Sequence, residues 1–283
     1  MENTVLANGL SMPMEGFGVF QVPDPEVCEQ AVLDALASGY RLIDTAAAYM
    51  NEKAVGSAIK KSGIDRSEIF VTTKLWIQDF GYEAAKKAIQ TCLDNLQTDY
   101  IDLLLLHQPF GDIFGAWRAM EEAYKAGKLK AIGVSNFYPF MLENFLLNVD
   151  IKPMVNQIEI HPFFIREKDI EFMKANNIQP EAWGPLAEGK FGIFTNPVLE
   201  RIAKKYNKSV AQIVLRWDIE RGVVVIPKST HKNRIEENID IWDFSLTPEE
   251  VAEINSLDKG HSEIVDHFDP NFVKMICSLK IHD

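Results

Sequence analysis

The chain has 283 residues, 47% hydrophobic and 25% charged: enough apolar material for a large core and no compositional sign of disorder. Its 41 acidic against 29 basic side chains give a formal charge of -12, which excludes general attraction to nucleic-acid phosphates or anionic lipid and favours small-molecule chemistry. The start MENTVLANGL lacks the basic and apolar halves of a signal peptide, and no apolar run reaches bilayer length, so a cytoplasmic protein without membrane contact is expected.

In chain order, Val5 to Met12 reads as a hairpin around Asn8-Gly9, because Asn-Gly supplies the positive φ angles of a type I′ turn, and Pro13 ends it. Beyond it, short apolar runs rich in β-branched residues alternate with stretches of helical period, the signature of βαβ units and a parallel sheet. Strands are expected at 16-20, 40-44, 69-73, 101-106, 130-134, 154-158, 178-182 and 223-226. Several, such as IDLLLL, are apolar without alternation, as in strands buried on both faces. Helices are expected near 25-38, 52-62, 82-97, 113-126, 138-147, 167-176, 197-206 and 209-221, with shorter ones near 232-238 and 248-256. Asp24-Pro25 and Thr247-Pro248-Glu249-Glu250 supply caps.

Eight strands each followed by helix fit an α/β fold, a (β/α)8 TIM barrel with an N-terminal β-hairpin and extra helices near the C-terminus. An open doubly wound sheet gives nearly the same alternation. No Pro/Gly/Ser-rich linker, charge block or repeat cuts the chain, so residues 1-283 are read as one domain. Cys28, Cys92 and Cys277 are far apart and lack metal-ligand spacing, so free thiols and no metal site are expected. Gly16-Phe17-Gly18-Val19-Phe20-Gln21 begins like a dinucleotide fingerprint, but Gln21 stands where the third glycine should be. The Tyr49/Lys53 and Tyr124/Lys128 spacings are ordinary for helix surfaces.

In a barrel, chemistry sits where strands end. There the chain puts Asp44 with Tyr49 five residues on, Lys74, and His107. Singly, each has a structural explanation: an ion pair, a core histidine, a loop-anchoring ring. Together they can perform acid catalysis, because a buried lysine beside a tyrosine stabilises phenolate and pulls its pKa down. Asp44 would keep that lysine charged, and His107 would orient a carbonyl.

Asp44-Thr45-Ala46-x-x-Tyr49, Lys74-Leu75-Trp76 and Leu105-Leu106-His107-x-Pro109 resemble the tetrad motifs of bacterial-type members of the aldo-keto reductase family, in the same order. The resemblance continues in Gly133-Val134-Ser135-Asn136-Phe137, Asn156-Gln157-Ile158-Glu159, Trp183-Gly184-Pro185-Leu186 and Ile226-Pro227-Lys228-Ser229, and so covers nearly the whole chain. It implies NADPH-dependent reduction of a small-molecule carbonyl, aldehyde or ketone, by a monomer. Tyr49 would be the acid, tuned by Lys74 and Asp44, and His107 would orient the carbonyl.

The resemblance also implies a cofactor path. Ser135, Asn136 and Gln157 match positions that bind the nicotinamide carboxamide, and Trp183 the aromatic ring beneath it. Gly18, Gly184 and Leu186 join that path, with Gly184 standing in for the more usual serine. The segment from Lys228 to Arg234 carries three positive charges and no acid, which marks an anion site. Lys228, Ser229, Thr230 and Arg234 match the adenosine phosphate pocket, Glu237 and Asn238 the adenine contacts, and the two cations favour NADPH over NADH. Phe20 and Trp76, with His107, match the substrate pocket; Phe110, Phe268 and Phe272 are looser candidates. Gln108 replaces a tryptophan common among relatives, and the short loop from Pro109 to Gly115 implies an open pocket. Two other readings use the same residues: a Schiff-base lysine at Lys74, and a catalytically weak nicotinamide-binding sensor or regulatory barrel.

Overall fold

The computed structural model describes residues 2–283. It opens with an antiparallel hairpin of β1 (Asn3–Val5) and β2 (Ser11–Pro13), which pairs Asn3 with Pro13 and Val5 with Ser11. The connection is not the type I′ turn expected from Asn-Gly. Gly9 alone has a positive φ, 86°, and its N–H bonds the Leu6 carbonyl at 2.8 Å. Asn8 works through its side chain instead, accepting from the Leu10 N–H (3.1 Å) and donating to the Lys130 carbonyl (2.8 Å). With Thr4 donating to Gln179 at 2.9 Å, these bonds lay the hairpin across the end of the barrel where strands begin.

Strand and helix then alternate: β3 (Phe17–Gly18), α1 (Pro25–Ala37), β4 (Leu42–Asp44), α2 (Glu52–Ser62), β5 (Phe70–Leu75), α3 (Tyr82–Leu96), β6 (Ile101–Leu106) and α4 (Ile113–Lys125). The second half runs β7 (Leu129–Ser135), α5 (Pro139–Leu146), β8 (Val155–Glu159), α6 (Glu167–Ala175), β9 (Gln179–Trp183), α7 (Pro197–Tyr206), α8 (Val210–Glu220) and β10 (Val224–Val225). After it come α9 (Lys232–Ile239), α10 (Pro248–Asn255) and α11 (Pro270–Ser278). Every expected strand is present, with ends shifted by two residues at most. α11 is not among the expected helices, although Asp269-Pro270 repeats the start of α1.

Strands β3 to β10 pair in parallel and in chain order. The last strand also meets the first: Gly16 N–H bonds the Val225 carbonyl (2.8 Å), Val225 N–H the Met14 carbonyl (3.1 Å) and Gly18 N–H the Pro227 carbonyl (3.1 Å). Those bonds close the ring, which an open doubly wound sheet cannot do. Leu103 to Leu106 of β6 are wholly buried, because helices cover one face and the barrel interior fills the other. The caps form as their sequences require: Asp24 accepts from Glu26 and Val27, and Thr247 with Glu250 makes a capping box. Among the described residues, no helix is long and apolar enough to cross a membrane.

Candidate active site

Parallel pairing in register brings the strand ends to one mouth of the barrel. Asp44 ends β4, Lys74 is the penultimate residue of β5, and His107 follows β6, its N–H bonded to the Leu75 carbonyl at 3.1 Å. Tyr49 comes in on a single 3-10 turn, Ala47–Tyr49, directly after β4. At the base of the mouth, Lys74 Nζ donates to Asp44 Oδ1 (2.5 Å), the Thr45 carbonyl (2.9 Å) and Tyr49 Oη (3.3 Å). All three ammonium hydrogens therefore have acceptors. The His107 ring stands edge-on between Tyr49 and Trp76, with centroids 5.6 and 5.2 Å away, and its Nδ1 is buried without a partner.

Burial would lower the Lys74 pKa, but Asp44, with Tyr49 and Glu181 adding to it, holds it above the ordinary lysine range, so the ammonium persists. His107 is pushed well below its usual value, by burial first and by Lys74 second, so its ring is neutral. Tyr49 departs from expectation. Burial raises its pKa, with Asp44 and Glu181 adding to the rise, and Lys74 offsets only part of it. Tyr49 thus keeps its proton.

Beside this group lie the three polar residues of β7 and β8. Ser135 Oγ donates to the Gln157 carbonyl (2.8 Å), and Asn136 Nδ2 donates to the His107 carbonyl (3.0 Å) and Ser135 Oγ (3.1 Å). Asn136 adopts φ 66°, a left-handed conformation that asparagine tolerates. Trp183 Nε1 donates to Asn136 Oδ1 at 2.8 Å, which fixes the indole at the edge of the amide group. Gly184 follows with φ 59°, so the serine expected there would be strained and glycine is not.

These residues share one cavity of about 970 Å³. Gly18, Phe20, Asp44, Tyr49, Trp76, His107, Ser135, Asn136, Gln157, Trp183, Gly184 and Leu186 line it, and so do Lys228, Ser229, Arg234, Glu237 and Asn238. Lys74 does not; it sits beneath the wall and acts through Tyr49 and Asp44. Thr230 is exposed and does not line the cavity, whereas Ser229 is buried on its wall and its Oγ accepts from the His231 N–H (3.1 Å). Among the described residues, Lys228 and Arg234 form no ion pair, so both charges stay free for an anion.

The substrate side is less open than the short loop after Pro109 suggests. The C-terminal tail supplies a wall: His267, Phe272, Met275 and Leu279 line the cavity, whereas Phe110 and Phe268 do not. Trp76 Nε1 donates to the Leu279 carbonyl (2.9 Å), Ser262 Oγ to Glu159 (2.6 Å), and His267 Nε2 lies 3.1 Å from Gln108 Oε1. Sequence reasoning misses His267, and also Ser209 to Ala211 at the start of α8, which reach the cavity beside the cations. Ser209 and Gln212 form a capping box at that helix start, but a capping pattern in a sequence does not show where the helix points.

Comparison with known proteins matches residues 16–259 to the family described as Aldo/keto reductase family. A glyoxal reductase of Bacillus subtilis is 48% identical over 92% of this chain and 94% of its own. A methylglyoxal reductase of Escherichia coli is 44% identical over 90% of this chain and 93% of its own. A Bombyx mori aldo-keto reductase solved in complex with NADP superposes with a TM-score of 0.89 at 36% identity, covering 94% of this chain and 95% of that one.

Proposed function

The chain belongs to the aldo/keto reductase family, and on that premise we propose that it reduces aldehydes or ketones to alcohols with NADPH, Tyr49 giving the proton. The observation that carries the reading is Lys74 Nζ bonded at once to Asp44 and Tyr49 at the base of a cavity whose other end is lined by the cations Lys228 and Arg234. The residues present fit the cofactor. Ser135, Asn136 and Gln157 would hold its carboxamide and Trp183 would stack on its ring. Lys228 and Arg234 would neutralise its 2′-phosphate. When bound, NADPH supplies the hydride that the carbonyl carbon receives.

The chain's own residues handle the proton. Tyr49 enters the reaction protonated, as a donor must, and the Lys74 ammonium 3.3 Å from Oη stabilises the phenolate left behind. Asp44 keeps that ammonium charged. His107, neutral by burial, retains a ring N–H for the carbonyl oxygen and does not compete for the proton. A Schiff-base role for Lys74 is opposed by the same bonds, which consume its hydrogens and raise its pKa.

The relatives named for glyoxal and methylglyoxal support α-dicarbonyls among the substrates. We read the protein as one barrel domain, monomeric and cytoplasmic, in keeping with three unpaired cysteines.

The test follows NADPH oxidation with a panel of aldehydes, α-dicarbonyls and ketones, beside Tyr49→Phe and with NADH on the best substrate. Tyr49→Phe should bind NADPH as wild type does and lose about 10²- to 10⁴-fold in rate, the usual range for a positioned acid. A fully active variant overturns the acid role. A wild type that binds NADPH yet reduces nothing restores the sensor.

A further inference from the structure

β9 carries a buried carboxyl that this proton path does not use. Glu181 has no exposed surface, its Oε1 has no partner, and its Oε2 lies 3.0 Å from Gln157 Nε2. The same nitrogen donates to Asp44 Oδ2 at 2.8 Å. An amide NH2 has two hydrogens, and here each meets a carboxyl oxygen on a different strand. Reversing the amide would turn Gln157 Oε1 against both carboxyls, which are buried.

Gln157 Oε1 therefore faces the cavity that this residue lines. Its neighbours are already committed: Asn136 donates to His107 and Ser135 and accepts from Trp183, and Ser135 donates to the Gln157 carbonyl. Of the two side-chain amides beside Trp183, Asn136 already accepts from the indole, whereas the Gln157 oxygen has no partner within the protein and is wholly open to a ligand. One carboxyl would not hold it so, because the terminal torsion of glutamine is broad and roughly two-fold. Asp44 is moreover shared with Lys74.

We propose that Glu181 is a positioning residue for the cofactor, holding the Gln157 amide so that its oxygen accepts an N–H of the nicotinamide carboxamide. This rests on the reading of Gln157 as a carboxamide contact. Burial, reinforced by the nearby Asp44 charge, pushes the Glu181 carboxyl up to about 8. In either protonation state Oε2 keeps a lone pair for the Gln157 N–H.

The experiment measures dissociation constants of NADPH and of adenosine 2′,5′-bisphosphate, which lacks the nicotinamide, by quenching of protein fluorescence. The proteins are wild type, Glu181→Leu, Glu181→Gln, Gln157→Ala and the Gln157→Ala/Glu181→Leu double variant. Glu181→Leu should weaken NADPH about tenfold, the loss of one well-placed hydrogen bond, and leave the bisphosphate unchanged. Glu181→Gln, whose amide oxygen accepts the same N–H, should stay within about threefold of wild type. The double variant should bind no more weakly than Gln157→Ala alone, because the two residues act in series. If leucine prevents folding, Glu181→Met carries the same expectation.

Equal loss for NADPH and the bisphosphate makes Glu181 merely structural and overturns the proposal. So do additive losses in the double variant, or a Glu181→Leu that binds NADPH normally while Gln157→Ala does not. If Gln157→Ala itself binds NADPH normally, the carboxamide reading is what fails, and the proposal falls with it.

Discussion

At the floor of the cavity Lys74 is fully buried and bonded to three partners, whereas on the tail Phe268, Met275 and Leu279 are 60%, 59% and 54% exposed. The floor hangs on neighbouring strands whose register leaves its side chains no choice of place. The wall is a terminal segment tied down by a few separate bonds, chiefly at Glu159, Gln108 and Trp76. A change in the floor strands a buried charge; a change in the wall reshapes a surface. The proton chemistry is thereby fixed, and the choice of substrate is left to a part that tolerates substitution.

Lys74→Met attacks the floor where it is most committed. It leaves Asp44 buried with only the Gln157 amide, and breaking a buried pair from one side typically costs about 3–5 kcal/mol. Urea melts should show a loss of that size, together with collapse of activity. Adding Asp44→Asn should recover most of the stability and none of the rate. If Lys74→Met melts within about 1 kcal/mol of wild type, the floor is not a strained charge site and the contrast with the wall dissolves.

The cations at the far end are intermediate: Lys228 stands just past β10 and Arg234 on α9, and both are exposed and, among the described residues, without an ion-pair partner. Lys228→Ala and Arg234→Ala should each weaken NADPH roughly tenfold, about what a hydrogen bond to a charged group contributes. NADH should move less than twofold, and the fold should be untouched. Equal weakening of both cofactors means that these side chains grip the shared pyrophosphate, and the preference for NADPH must then come from elsewhere.

The same contrast governs what could be read from the chain. Asp44, Lys74 and His107 were legible because each stands at or next to the end of a recognisable strand, and closure of the ring brings such ends together whatever the loops do. Tyr49 was legible through its fixed offset from Asp44. The direction of its pKa was not, since a sequence shows the lysine beside it but not the depth of burial that outweighs the lysine. Glu181 escaped because a glutamate in a strand reads as outward-facing until the register turns it in. Thr230 and Phe268 lie off the cavity wall, because loop and tail residues can be assigned to a segment but not to a direction. α11 was missed even though Asp269-Pro270 announces it, because a short helix in a tail has no strand behind it to make the assignment consistent.

The wall has its own titration. Burial, with Arg166 nearby, lowers the His267 pKa from 6.5 to about 4, so in the folded protein the ring is neutral through the physiological range. A lowered folded value means that its share of stability is complete above about 6.5 and is lost as pH falls toward about 4. His267→Asn keeps an amide donor for Gln108 without a proton to gain. Urea midpoints should therefore fall more steeply for wild type than for the variant between these limits, by on the order of 1 kcal/mol at mid-range. That effect is smaller than the shift alone implies, because a tail with exposed neighbours can open locally and protonate without global unfolding. Superimposed profiles would mean that His267 titrates like an exposed histidine. The tail would then rest on the barrel only part of the time, and the wall of the substrate site would be completed by the substrate.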